Sequence, residues 1–244
     1  MTDLIQNRGR VRVEPGLKRV RAYLGGEVVA DTNAPLLVWE NPHYPAYYLP
    51  IAQVRATLVP TATTKRSPSR GDATFFTVKA GGREAVDAAW QYPDSPIEEI
   101  RDHVRFDWDA MDAWFEEDEE VIVHPRSPYT RIDILPSSKR VRVLVDGQVI
   151  AESHRPWLLF ETGLPVRYYM PKVDVRMELL EPTGSHTACP YKGVASYWTA
   201  VIDGQRHEDL VWSYPYPLPE SQRIGGLLAF YNDRVTIEVD GQAV

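Results

Sequence analysis

One unit is written twice in this chain. Seventeen positions between Pro15 and Leu58 carry the same residue 121 places later, among them Pro15/Pro136, Val20/Val141, Gly26/Gly147, Glu40/Glu161, Tyr48/Tyr169 and Pro50/Pro171. A second block repeats at an offset of 122, with Pro68/Pro190, Gly71/Gly193, Trp90/Trp212 and Tyr92/Tyr214. One residue was therefore gained or lost between the blocks, a change that a surface loop absorbs. The fold must be one that a segment of about a hundred residues completes alone. The copies also serve as each other's comparison: shared residues serve the common fold, and a reactive set present in one copy is a candidate site.

The duplication cuts the chain into a first repeat at 15–120, a linker at 121–135 and a second repeat at 136–244. His124-Pro125-Arg126-Ser127-Pro128-Tyr129 has the composition of an ordered, stiff connection rather than a Gly/Ser tether. With 244 residues, 43% apolar and 25% charged, the chain has enough apolar content for two small cores. A net charge of −7 argues against nucleic acid or anionic lipid as partner, because both need clustered Lys and Arg. No run approaches the length of a membrane span, and Met1-Thr2-Asp3-Leu4 lacks the basic and apolar regions of a signal peptide. The single cysteine excludes an internal disulfide and a multi-cysteine zinc site. The expectation is a soluble, cytoplasmic protein with no metal, an unassigned cofactor and an open oligomeric state.

Val141 to Val145, then Asp146-Gly147, then Gln148 to Ala151 alternates across a turn whose central residues tolerate positive φ, and so predicts a β-hairpin. Val20 to Ala30, turning at Gly25-Gly26, predicts the same hairpin in the first copy. Tyr197 to Val201, Asp203-Gly204 and Glu208 to Trp212 predict another. Twenty prolines oppose long helices. Two short helices are expected, at Ser95 to Val104 and Pro219 to Leu227. The fold class expected is all-β: two tandem, small, barrel- or tent-like antiparallel domains with one short helix per repeat. The acidic run Glu116 to Glu120 reads as a solvated strand end.

Glu161-Thr162-Gly163-Leu164-Pro165, Arg167-Tyr168-Tyr169-Met170-Pro171, Cys189-Pro190-Tyr191-Lys192-Gly193 and Trp212-Ser213-Tyr214-Pro215 together resemble the bacterial domain of unknown function 427 family in a two-copy form. The resemblance covers nearly the whole chain. It implies a compact, mostly β domain without an established activity, and it carries a nucleotidyltransferase label. The first copy departs from the pattern, with Ser67 and Arg70 where the second has Cys189 and Lys192.

That departure marks the candidate site. Across a turn, an ammonium near a thiol favours the nucleophilic thiolate; alternatively, Cys189 is a small buried residue and Lys192 pairs with a carboxylate. Glu161 follows the apolar run Trp157 to Phe160, where desolvation suits an acid or base. Glu40 holds the same place in the first copy, so an ion pair with Arg55/Arg176, or capping of loop amides, explains it equally. Cys189, Lys192 and Glu161 are thus the candidate catalytic residues. Arg167, Tyr168, Tyr169, Tyr191, Tyr197, Trp212 and Tyr214 are candidate ligand contacts, although Tyr169, Trp212 and Tyr214 recur in the first copy as Tyr48, Trp90 and Tyr92 and so suit a core. For nucleotidyl transfer, Asp107-Trp108-Asp109 offers two carboxylates on one strand face, but no glycine-rich phosphate cradle accompanies them. The leading expectation is a small-molecule pocket, open to catalysis, in the second repeat. The alternative is a non-catalytic module that presents a composite face to another protein.

Overall fold

The computed structural model describes residues 11–244, and the chain divides between Ser127 and Pro128 into two units. The first contains β1 (Arg12–Pro15), β2 (Val20–Leu24), β3 (Glu27–Thr32), β4 (Leu36–Trp39), β5 (Ala46–Pro50), β6 (Thr57–Ser67), β7 (Gly71–Ala80), β8 (Arg83–Gln91), β9 (His103–Phe106), β10 (Ala113–Glu116) and β11 (Glu119–Glu120). The second contains β12 (Ile132–Pro136), β13 (Val141–Val145), β14 (Gln148–Ser153), β15 (Trp157–Glu161), β16 (Arg167–Tyr169), β17 (Leu180–Cys189), β18 (Gly193–Ile202), β19 (Gln205–Ser213), β20 (Ala229–Phe230), β21 (Thr236–Val239) and β22 (Gln242–Ala243). Strand for strand, the second series repeats the first. β12 opens the second unit inside what the sequence assigns to the linker, and Val121 to Ser127 belong to the first unit.

The first unit is two antiparallel sheets, one of order β1-β4-β5-β9-β8-β7-β6 and one of order β11-β10-β2-β3. None of the sheets closes into a barrel; each is open. Alternation explains the layering. Val20, Ala22 and Leu24 of β2 are buried while Arg21 and Tyr23 between them are not, so one face packs and the other meets solvent. Those three residues pack with Leu49, Val78, Ala89 and Val104 of the larger sheet. The far face of that sheet carries Val38, Tyr48, Ala73 and Tyr92 and is capped by Ile100. Both faces are thus covered, which is how β5 comes to hold three consecutive buried residues, Tyr47, Tyr48 and Leu49.

The second unit differs at one seam. Its larger sheet is split into β12-β15-β16 and β17-β18-β19-β20. The three-pair ladder between β5 and β9 shrinks, between β16 and β20, to a single bridge of Met170 to Leu228 with hydrogen bonds of 2.8 and 2.9 Å. The one-residue offset change falls beside the short 3-10 turn Met177–Leu179, which has no counterpart in the first unit.

All three expected hairpins are present. Asp146 and Gly147 take φ of 49° and 81°, the left-handed pair that this two-residue turn requires. The expected helix over Ser95 to Val104 is not formed: only Glu98–Ile100 makes a 3-10 turn, and Val104 lies in β9. Val104 shares an apolar period with Ile100, but pairing with Leu49 of β5 and Gln91 of β8 overrides that local pattern. Its counterpart is a 3-10 helix over Pro219–Ile224 that stops at Gly225. Glu116 is not a solvated strand end either. It is buried and accepts hydrogen bonds from Tyr47 and Lys18, both at 2.6 Å.

Candidate functional site

Glu161 closes β15, opposite Ile132. Lys192 sits in the turn between β17 and β18, where its amide bonds to the Cys189 carbonyl at 3.3 Å and Cys189 pairs with Gly193. Gly193 takes φ of 98°, and a Cβ there would stand 3.2 Å from the Tyr216 carbonyl, so the turn presses on the segment before the 3-10 helix. Ser221 Oγ donates to the Tyr191 carbonyl at 3.2 Å, and Leu218 donates to the Lys192 carbonyl. Held in this way, the turn brings Lys192 Nζ within 2.5 Å of Glu161 Oε2, with the two side chains only 11% and 9% exposed.

The first unit builds the same pair and uses it differently. Glu40 Oε1 accepts from the Tyr48 hydroxyl at 2.6 Å, while Oε2 takes Arg105 and, at 3.6 Å, Arg70. Arg70 replaces Lys192, so a cation facing this carboxylate is common to both copies. In the second unit Ala229 stands opposite Trp212 where Arg105 stands opposite Trp90. A cation over the indole returns from another strand: Arg167, at the place of Ala46, lies 5.5 Å from the Trp212 ring, as Arg105 lies 4.7 Å from Trp90. The exchange frees hydrogen-bonding capacity. Glu161 Oε1 accepts from no described residue. The Tyr169 hydroxyl accepts from Trp212 Nε1 at 3.2 Å and donates to no described residue. Arg167 has one described hydrogen bond, to Asn232 at 2.7 Å.

Tyr169, Tyr197, Trp212 and Tyr214 are buried on this face, with Cys189 partly buried among them. Burial holds the Tyr169 hydroxyl well above the usual tyrosine range, with the Glu161 and Cys189 charges adding to it. Burial raises Tyr214 in the same way, as Tyr169 and Cys189 also do. A chain of hydroxyls runs from Thr187 through Tyr197, at 2.7 Å, to Tyr231, at 3.3 Å. Burial and the Tyr197 bond push Tyr231 up to about 12. The surroundings of Cys189 are thus filled with aromatic side chains. A cavity of about 240 Å³ lies in the first unit beside Glu40 and Arg105.

Most of the expected residues converge: Glu161, Lys192, Cys189, Arg167, Tyr169, Tyr197, Trp212 and Tyr214. Tyr168 does not, because neighbouring strand residues point to opposite faces and it packs on the main core instead. Tyr191 is buried, and its carbonyl anchors the turn. The ion pairs expected with Arg55 and Arg176 are not made; these residues pair with Asp31 and Glu178. Asp107 and Asp109 are not on a strand face. They lie in the turn after β9, where Asp109 donates its amide to Asp107 Oδ1 at 3.3 Å. Among the described residues, no group of three His, Cys, Asp or Glu is arranged to hold a metal. Tyr231 and Asn232 were missed, although their alignment with Asp107 and Trp108 put them beside the copies' main divergence.

A protein-family model described as a domain of unknown function (DUF427) matches residues 12–117 and, again, residues 133–241. No curated protein matches the chain.

Proposed function

This chain belongs to the domain of unknown function 427 family and carries the domain twice, and we propose on that footing that its second unit binds a small organic anion bearing a hydroxyl or amine. One observation carries the reading. The first unit spends both oxygens of Glu40 and the Tyr48 hydroxyl on its own side chains, whereas in the second Glu161 Oε1, the Tyr169 proton and part of the Arg167 guanidinium meet no partner among the described residues. These groups converge beside a packed aromatic core and none is a buried atom stranded without a partner, so such a trio is suited to a ligand that matches it. Arg167 takes the anionic end, since a planar guanidinium suits a carboxylate or phosphate. Glu161 accepts from the ligand's hydroxyl or amine, and Tyr169 donates to the same group. Lys192 fixes the orientation of Glu161 through their ion pair. Cys189 supplies a polarisable wall, and a nucleophile if the ligand is electrophilic.

The test is untargeted mass spectrometry of the small molecules released when the purified chain is denatured. The wild type should release a hydroxylated or aminated anion that Arg167→Ala and Glu161→Gln both lack. Release of the same compound in equal amount from all three proteins would remove the site.

A further inference from the structure

The first unit holds a second kind of site. A cavity of about 240 Å³ opens between the turn after β9, the loop after Glu40 and the segment Val123 to Pro125. That is below the roughly 300–1,000 Å³ of a drug-sized pocket, so its occupant is small. Its walls include Trp108 and Trp114, stacked with centroids 4.9 Å apart and 6° between planes, and Tyr44 stacked on His124 at 3.8 Å. Its charge is one-sided. Glu40, Asp107 and Asp109 line it against the single guanidinium of Arg105, and Arg105 is already paired with Glu40. Asp107 and Asp109 are exposed and meet no cation among the described residues.

We infer that this cavity binds a small organic ammonium ion, with the indole face of Trp108 turned away from the buried Trp114 and the carboxylates of Asp107 and Asp109 as its recognition elements. An ammonium is drawn to the negative face of an aromatic ring and to carboxylates, and in a part-enclosed cavity both attractions exceed their value in water. Burial depresses the pKa of His124, so the imidazole adds no opposing charge at neutral pH. The second unit lacks the arrangement. Tyr231 and Asn232 replace Asp107 and Trp108, Ile237 pairs with Val143 as Trp114 pairs with Ala22, and Asn232 is engaged by Arg167 and the Val166 carbonyl. The site is therefore an elaboration of the first copy, separate from the anion site proposed above.

Titrating the full chain with choline, followed by tryptophan fluorescence, tests it, with the uncharged isostere 3,3-dimethyl-1-butanol as the control. Choline should give a saturable change and bind at least tenfold more tightly than the isostere. Asp107→Asn/Asp109→Asn should weaken choline at least fivefold and leave the isostere unchanged; both positions are exposed and Asn still accepts the Asp109 amide bond, so the fold is retained. Glu161→Gln should leave the choline titration unaltered, which separates this site from the one in the second unit. Equal responses to choline and isostere, no saturable response, or an unchanged choline affinity in the double variant would overturn the inference.

Discussion

Replacing Lys192 with Met removes the one cation that meets Glu161 Oε2 among the described residues and leaves a carboxylate only 9% exposed. Breaking a buried pair from one side costs roughly 3–5 kcal/mol, because the surviving charge is stranded rather than merely unpaired. Glu161 Oε1 meets no partner among the described residues and is not sealed from solvent, which softens the penalty, so the expected loss is about 2–3 kcal/mol. For a unit of this size that lowers the melting temperature by about 10 °C. Urea unfolding of the full chain, followed by tryptophan fluorescence, gives the number. Lys192→Met/Glu161→Gln should recover more than half of the loss, since the double variant strands no charge. The first unit is the internal control: Glu40 keeps Arg105 and Tyr48 when Arg70→Met is made, so the loss there should be about 1 kcal/mol. A Lys192→Met loss below about 0.5 kcal/mol would show the pair to be a screened surface contact and refute the reasoning.

Gly81 takes φ of 52° and an added Cβ would lie 2.1 Å from the Gly25 carbonyl, so Gly81→Ala should destabilise by about 2 kcal/mol or more in chemical denaturation. Gly82→Ala, at φ of 72° with open space, should cost about 1 kcal/mol in the same measurement. Burial and, second, the Tyr197 bond push Tyr231 up to about 12; Tyr197→Phe removes the bond, and an ultraviolet titration of tyrosinate should show the Tyr231 ionisation moving down in part. Burial depresses His103 and His124, so the unfolded chain takes up protons first as pH falls below about 6.5. Their contribution to stability is complete above that pH and is lost below it; the melting temperature should therefore fall between pH 7.5 and 5.5, less steeply in His103→Gln/His124→Gln. Ala46→Arg should restore part of the stability lost in Arg105→Ala, because the second unit already supplies its indole-stacking cation from that strand, as thermal melts of the single and double variants would show.

Much of this fold is legible in the sequence because its signals are local and repeated. Asp146-Gly147 and Gly25-Gly26 announce their hairpins through residues that accept positive φ. The spacing of Pro15/Pro136 to Trp90/Trp212 gives the copy boundaries and even the loop that absorbs the shift. The stretch from Ser95 to Val104 misleads because its helical period is local, whereas β9 is fixed by partners some 15 and 55 residues away. The site is half legible. Cys189 and Lys192 stand out against Ser67 and Arg70, but Arg70 still faces Glu40, so the charge is shared and the thiol alone is new. The larger divergence is only half visible: Ala46 against Arg167 lies at the offset of 121, but Arg105 against Ala229 is hidden until strand register pairs the positions. Tyr168 and Tyr169 differ only in the face of one strand.

The central claim is that the second unit leaves Glu161 Oε1 and the Tyr169 hydroxyl open to a ligand while the first closes the same pair. A crystal structure of the chain as purified tests it most directly. Electron density larger than a water is expected within hydrogen-bond reach of Glu161 Oε1, the Tyr169 hydroxyl and Arg167, beside a direct Tyr48–Glu40 bond of about 2.6 Å. A direct Tyr169–Glu161 bond, with Arg167 turned onto a protein carboxylate and no density between them, would contradict it.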